Sequence, residues 1–283
     1  MVTETAHDLQ DRPLLILKPE SGWVPLDLRE LWEFRYLLIS LARRDIKLRY
    51  RQTLLGAAWV AIQPLVAAGL FTFVFGVITH PPSEGHSQFL FIYAGLLVWN
   101  VFNNTVTRCS QSMVGNSQLI SKVYFPRMAL PLSAVLSVLV DFVVSLALMC
   151  VLLAAFHVRP SLHVLALPFW IVIVLLIGMG VGFAAAALNV SYRDVQHVLP
   201  VLLQFLMFAS PVVYSLDRVP PKWRVPFFLN PLSGPLEAIR WSLLGGGPLR
   251  IKITCYAALM SVAIFLAGAH IFRKMERGLA DVI

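Results

Sequence analysis

Apolar residues along this chain gather into six long runs parted by short polar breaks, at residues 54–79, 89–107, 130–156, 164–188, 198–214 and 253–272. A hydrocarbon core about 30 Å thick takes roughly 20 helical residues to cross. A helix also satisfies its own backbone hydrogen bonds where no water is available. The pattern therefore predicts an all-α integral membrane protein with six transmembrane helices in residues 54–272, and an even number of crossings returns the C-terminus to the side of the N-terminus. Ahead of the first run, the period changes. Over residues 30–53, Leu31, Phe34, Leu38, Leu41 and Leu48 fall on one helical face, and Glu33, Ser40, Arg44, Lys47 and Arg51 on the other. That is the pattern of an amphipathic interface helix, with Arg43, Arg44, Lys47, Arg49 and Arg51 turned toward anionic lipid headgroups; the alternative is an amphipathic helix packed on protein. Residues 1–29 then form a cytoplasmic arm and 273–283 a cytoplasmic tail.

The segment 215–250 departs from the other connections. It holds Pro220, Pro221, Pro226, Pro231, Pro235 and Pro248 together with Trp223, Phe227, Phe228 and Trp241. Prolines at this density forbid one continuous helix, while the aromatic and leucine side chains call for burial. Two short helices dipping into the outer leaflet, their broken backbone covered by protein, satisfy both demands and predict a re-entrant outer segment.

Composition agrees with a membrane protein. The chain is 58% hydrophobic and 13% charged, with mean hydropathy +0.74, against roughly 45–50% and 25% for a typical soluble domain. The formal charge of +8 raises nucleic acid as a partner, but the basic residues flank the apolar runs instead of forming a solvated face, so no nucleic-acid partner is expected. Under the six-span reading, 16 Lys and Arg lie on the N-terminal side and six on the other, with Lys252 at a boundary. The positive-inside rule then puts both termini in the cytoplasm. The first 53 residues are too charged and too long for a secretory signal, so the N-terminus is expected to be retained. Cys109, Cys150 and Cys255 lie in or beside apolar runs at no metal-ligand spacing and read as small packing residues.

No glycine-rich phosphate loop ending in Gly-Lys-Ser/Thr is present, and no zinc, esterase or metalloprotease motif either. The chain is therefore not expected to be an enzyme, nor to bind a cofactor or metal. Gly178, Gly180 and Gly182 sit inside the fourth run beside Ala184 to Ala187 and read as a close-packing helix face. Asp141 is the one acidic residue well inside a run. An intramembrane carboxylate faces a partner, a cavity or a permeating species, so Asp141 either bonds a neighbouring span, with Asn100, Asn103, Asn104, Gln63 and Gln204 as available partners, or lines a path.

Longer motifs add a resemblance. Leu41-Ala-Arg-Arg-Asp-Ile-Lys-Leu-Arg-Tyr-Arg-Gln-Thr-Leu-Leu-Gly-Ala-Ala-Trp59 is followed by Gln63-Pro64, by Asn116-Ser-Gln-Leu-Ile-Ser-Lys-Val-Tyr-Phe-Pro-Arg127, by Asn189-Val-Ser-Tyr-Arg-Asp-Val195 and by Ser210-Pro-Val-Val-Tyr214. Asn230-Pro231 and the tail Glu276-Arg-Gly-Leu-Ala-Asp-Val-Ile283 complete the series. From about Gly22 onward the chain resembles the membrane subunit of type-2 ABC exporters, the permeases of O-antigen, capsule and teichoic-acid export. The resemblance implies a half-transporter of a bacterial inner membrane that forms a homodimer with a channel between the copies, and moves lipid-linked polysaccharide, O-antigen first among the candidates. It also implies pairing with two copies of a separate ATP-binding subunit, and ATP and Mg are used by that partner. The coupling segment would be residues 116–127, with Asn116, Leu119, Ile120, Lys122, Val123, Tyr124, Phe125 and Arg127 as contacts, and with Arg193 and Asp194 nearby. Its apolar Val123, Tyr124 and Phe125 suit a docking groove better than a free loop.

A sugar polymer has to be held weakly enough to slide, which favours flat aromatic faces over fixed ionic contacts. Trp59, Phe71, Phe73, Trp99, Phe102, Phe205 and Phe208, with Asp141, are the candidate channel residues. Two other readings remain open: export of a small lipophile or drug by the same architecture, and a channel or scaffold with no ATP coupling. A neighbouring gene for a phosphate-loop ATPase separates the last from the rest.

Overall fold

The computed structural model describes residues 32–51, 56, 58–79, 87–122, 125–159, 162–245 and 249–276, with the side chains of 76–79 and 218 outside that description. The arm 1–29, the tail 277–283, and Val123 and Tyr124 of the coupling segment lie outside the described residues. Within them the chain is all-helical, without strands. Ten α-helices follow in order: α1 (Arg35–Arg51), α2 (Ala58–Thr79), α3 (Gln88–Ser112), α4 (Ser117–Ile120), α5 (Ala129–Ala155), α6 (Leu167–Ser191), α7 (Val195–Phe208), α8 (Arg224–Leu229), α9 (Ser233–Leu244) and α10 (Ile251–Glu276).

Among the described residues, five helices are long and apolar enough to cross a membrane: α2, α3, α5, α6 with the short turn before it, and α10. The fifth apolar run differs from its expected 198–214. It forms α7, 14 residues long, which at 1.5 Å per residue gives about 21 Å of helix. The chain leaves the helix at Ala209, just before Pro211, which has no N–H to continue the ladder. Tyr214 folds back to donate its hydroxyl to the Phe208 carbonyl at 2.8 Å.

The bundle is built around α3 and α6, which lie side by side and parallel. Gly178 and Gly182 are what let them meet. A Cβ on Gly178 would stand 2.9 Å from the Thr105 side chain, and one on Gly182 would stand 2.6 Å from Cys109 Cβ. On its other side α6 meets α10, and there the backbones themselves touch: a Cβ on Gly268 would fall against the Gly180 carbonyl, 2.7 Å from Gly180 Cα. Gly178, Gly180 and Gly182 are thus a small-residue packing face, as their place beside Ala184 to Ala187 predicted. α5 runs antiparallel to α3 and is joined to it by Tyr93, whose hydroxyl donates to the Ser145 carbonyl at 3.0 Å. The outer helices α2 and α7 border this core, and α2 is the least buried of the long helices. Cys109 is buried at the α3–α6 contact, whereas Cys150 and Cys255 are exposed.

The proline-rich segment folds as two short helices, α8 and α9, as its pattern demanded. Asn230 makes the corner between them. Its side-chain amide donates to Ser210 Oγ at 2.8 Å while its carbonyl oxygen accepts from the Leu232 N–H at 3.0 Å. α9 is buried among α3, α6 and α10 along most of its length, so the backbone broken by Pro231 is covered by protein.

Candidate functional site

One end of the bundle collects the groups with chemistry. Asn189 near the end of α6 donates to the Ser110 carbonyl of α3 at 3.0 Å, so α3 and α6 finish together. The connection from α3 to α5, residues 113–128, crosses this end. α1 joins it there: Arg44 donates to Asn116 Oδ1 at 2.6 Å, and the Asn116 amide donates in turn to the Ser112 carbonyl at 2.8 Å. At the far side of the connection Arg127 donates to the Glu276 carbonyl at 2.9 Å, which satisfies one of the orphan carbonyls at the end of α10. The connection is thereby tied to the first helix and the last.

Asp141 forms a buried polar cluster. It is 4% exposed and accepts from Arg49 at 2.6 Å. It also accepts from Arg108 and from the Tyr50 hydroxyl. Arg108 donates a second nitrogen to Ser137, one turn away on α5, at 2.7 Å. Burial first, and then its hydrogen bond to Asp141, push the Tyr50 phenol well above its ordinary range, so it stays protonated and donates. Asp141 therefore bonds charged residues of α1 and α3, and none of the asparagines or glutamines offered by the sequence. Arg49 is exposed like its basic neighbours and pairs with Asp141 as well, because α1 packs on α5 and brings its last turn to the carboxylate. Arg43, Lys47 and Arg51 are exposed, and Arg44 pairs with Asp45 at 2.8 Å as well as with Asn116.

Within residues 116–127, Lys122 is exposed, Leu119 and Ile120 are half-buried against the core, and Phe125 is 5% exposed. The Phe125 ring is turned into the protein and gives the segment no surface for docking. Arg193 and Asp194 are exposed in the turn between α6 and α7, with the Asp194 carboxylate at the α7 N-terminus, where the helix dipole favours it.

The aromatic candidates divide. Trp59 and Phe73 on α2, and Phe205 and Phe208 on α7, are exposed. Phe71 is half-buried, its ring 6.2 Å from that of Phe75. Trp99 and Phe102 on α3 are buried, with ring centroids 5.5 Å apart, and serve the core. The exposed members sit on the two outer helices α2 and α7. Pattern along α3 could not separate these cases, because a helix surrounded by other helices is apolar on every face.

Sequence reasoning missed Arg240. It is 5% exposed on α9, yet reaches α3: Nε donates to the Phe91 carbonyl at 3.3 Å, Nη2 to the Val212 carbonyl, and the guanidinium carbon lies 3.8 Å from the Phe91 ring centroid. Gly95 leaves room for it, since a Cβ there would meet both Arg240 and the Val212 carbonyl. The available signal was a lone arginine inside an apolar run of the outer segment. Nearby, Arg250 pairs with Asp217, and its Nε stands 3.5 Å from Glu237.

A helical bundle with five helices long and apolar enough to cross a membrane, and a connection tied to helices at either end of the described chain, is the fold of an integral membrane protein. The chain belongs to the ABC-2 type transporter family, which it matches over residues 36–244. It is 36% identical over 257 residues to the O-antigen export system permease protein RfbA of Myxococcus xanthus, covering 90% of this chain and 98% of that protein. A permease of the same name from Klebsiella pneumoniae is 26% identical over 248 residues, 87% of this chain and 95% of that one. The polysialic acid transport protein KpsM of Escherichia coli is 22% identical over 241 residues, 85% and 93% of the two chains.

Proposed function

We propose that this chain is the membrane-spanning half of an ATP-driven exporter that moves lipid-linked polysaccharide of the O-antigen class across a bacterial inner membrane. The observation that carries the reading is the near full-length likeness to an O-antigen export permease, 36% identical over 98% of that protein. Two copies form the channel, and two copies of a separate ATP-binding subunit drive it. α7 and the turns after it complete a sixth crossing, both termini lie in the cytoplasm, and the exposed basic face of α1 meets the headgroups. The charge asymmetry of the connections supports that orientation.

The exposed apolar faces of α2 and α7, which carry Trp59, Phe73, Phe205 and Phe208, support an interface between copies. Trp59, Phe73, Phe205 and Phe208 then offer flat surfaces along which a glycan slides. The partner's ATPase strokes are received by the segment 113–128 through Leu119, Ile120 and Lys122, with Arg193 and Asp194 beside it. The decisive experiment expresses this chain with a candidate ATP-binding subunit in a strain lacking its own export permease. Surface polysaccharide should return only when both proteins are present, and the two should co-purify. Surface polysaccharide in the absence of the ATP-binding subunit would refute the reading.

A further inference from the structure

The three donors that meet Asp141 come from two elements held with very different firmness. Arg108 belongs to α3, in the centre of the bundle; its side chain is 19% exposed and is steadied by Ser137. Arg49 and Tyr50 belong to the last turn of α1, a peripheral helix whose main packing partner is α5, and the Arg49 side chain is 44% exposed. A buried carboxylate needs one well-placed cation to offset its desolvation, and losing the last one strands a charge in a poor dielectric. Asp141 has two. If α1 withdraws, Asp141 and Arg108 remain a matched pair with Ser137 still in place, and Arg49 moves into water, where a guanidinium is well hydrated. Were Arg108 the partner to leave, the carboxylate would depend on a half-exposed residue of a peripheral helix. The cluster can therefore open on one side at low cost and not on the other.

α1 is also bonded to the connection that follows α3, through Arg44 and Asn116 at 2.6 Å. Between Arg44 and Arg49 lie less than two turns of helix, so displacement of one contact is transmitted to the other with little slack.

We propose that the Asp141 cluster is a release latch for α1: Arg108 is the permanent counter-ion of Asp141, and Arg49 with Tyr50 is the exchangeable one. Movement of the segment 113–128 passes through Asn116 and Arg44 to α1 and opens the latch on α5. This rests on the permease reading, in which a partner pushes on that segment. Arg49 is accordingly a positioning residue, acting through α1.

The test uses the full chain co-expressed with its ATP-binding subunit, in a cysteine-free background, with spin labels at Leu48 on α1 and Val143 on α5, both exposed. Distances are measured in lipid nanodiscs with and without ATP plus vanadate. The latch predicts two distances in the unmodified protein, whose ratio shifts with nucleotide. Arg49→Gln should keep its folded yield, hold the longer distance in every condition, and continue to hydrolyse ATP while export falls several-fold; Arg49→Lys should restore the shorter distance. Arg108→Gln should instead lose folded yield. One distance that ignores Arg49→Gln, or equal loss of folded yield in Arg49→Gln and Arg108→Gln, overturns the latch. A chain that binds no ATP-binding subunit overturns the permease reading, and the effect of Arg49→Gln on distance and the contrast in yield still decide the latch.

Discussion

Asp141 and Arg240 are buried charges toward opposite ends of one bundle, 4% and 5% exposed, and they are satisfied in opposite ways. Asp141 takes its hydrogen bonds from side chains on two other helices. Arg240 gives its bonds to two backbone carbonyls and rests on an aromatic face. Side-chain partners can rotate away and be replaced, whereas carbonyls at the start of a packed helix and in a turn held by that same arginine cannot. Arg240 is thus a fixed rivet between the proline-rich segment and α3, and Asp141 is a contact whose partners are open to change.

The contrast is broken most directly at the rivet. Arg240→Leu removes the donor to the Phe91 and Val212 carbonyls, and is expected to cost about 3–5 kcal/mol, because two buried acceptors are left unsatisfied at about 1–3 kcal/mol each, read as loss of folded, monodisperse protein in detergent. If Arg240→Leu folds as well as the parent, the segment is held by something else. Asp141→Asn comes next. It leaves Arg108 partly buried without its counter-ion but keeps hydrogen-bonding capacity, so a loss of about 2–3 kcal/mol in thermal stability of the purified chain is expected, smaller than for Arg240→Leu. Gly95→Ala sharpens the comparison without touching a charge. Its Cβ would lie 3.1 Å from the Val212 carbonyl carbon and closer still to the Arg240 guanidinium, and the crowding should cost about 1–3 kcal/mol despite the better helix propensity of alanine; unchanged stability would show that the turn at Val212 has room to yield. Arg250→Ala should be the mildest. It loses pairs with Asp217, whose side chain is 62% exposed, and with Glu237, and solvent screening holds the effect to about 1 kcal/mol or less.

Much of the architecture was legible because it follows from length and period. Five of the six apolar runs became long helices, Gly178, Gly180 and Gly182 became a packing face, and the proline-rich segment did fold as two short helices, of which α9 is buried and α8 is not. The family resemblance carried by the motifs from Leu41 onward is matched by the ABC-2 transporter family over residues 36–244. The fifth run was overestimated because hydropathy continues through Val212 and Val213 after Pro211 has already ended the helix. The partners of Asp141 stayed hidden for two reasons. An apolar stretch that stops at Thr107 puts Arg108 in a loop, although α3 runs on to Ser112. Amphipathic spacing put Arg49 with the headgroup-facing cations, and spacing alone does not say that the end of α1 turns toward α5, 92 residues away in sequence. Phe125 shows the same limit: an aromatic residue in a polar connection is as ready to fold inward as to wait for a partner.

The contact of Gly180 with Gly268 carries a mechanical consequence. Helices that touch backbone to backbone have no intervening side chains to repack, so sliding or tilting one against the other opens a gap that nothing nearby can fill. α6 and α10 therefore travel as one stiff beam, and rearrangements of the bundle that preserve this contact are taken up where packing is sparse, along α2 and α7. A valine at Gly268 would drive the beam apart, while the same side chain at Gly69 on α2, where nothing lies within 4 Å of a Cβ, would pass unnoticed by the chain's own packing.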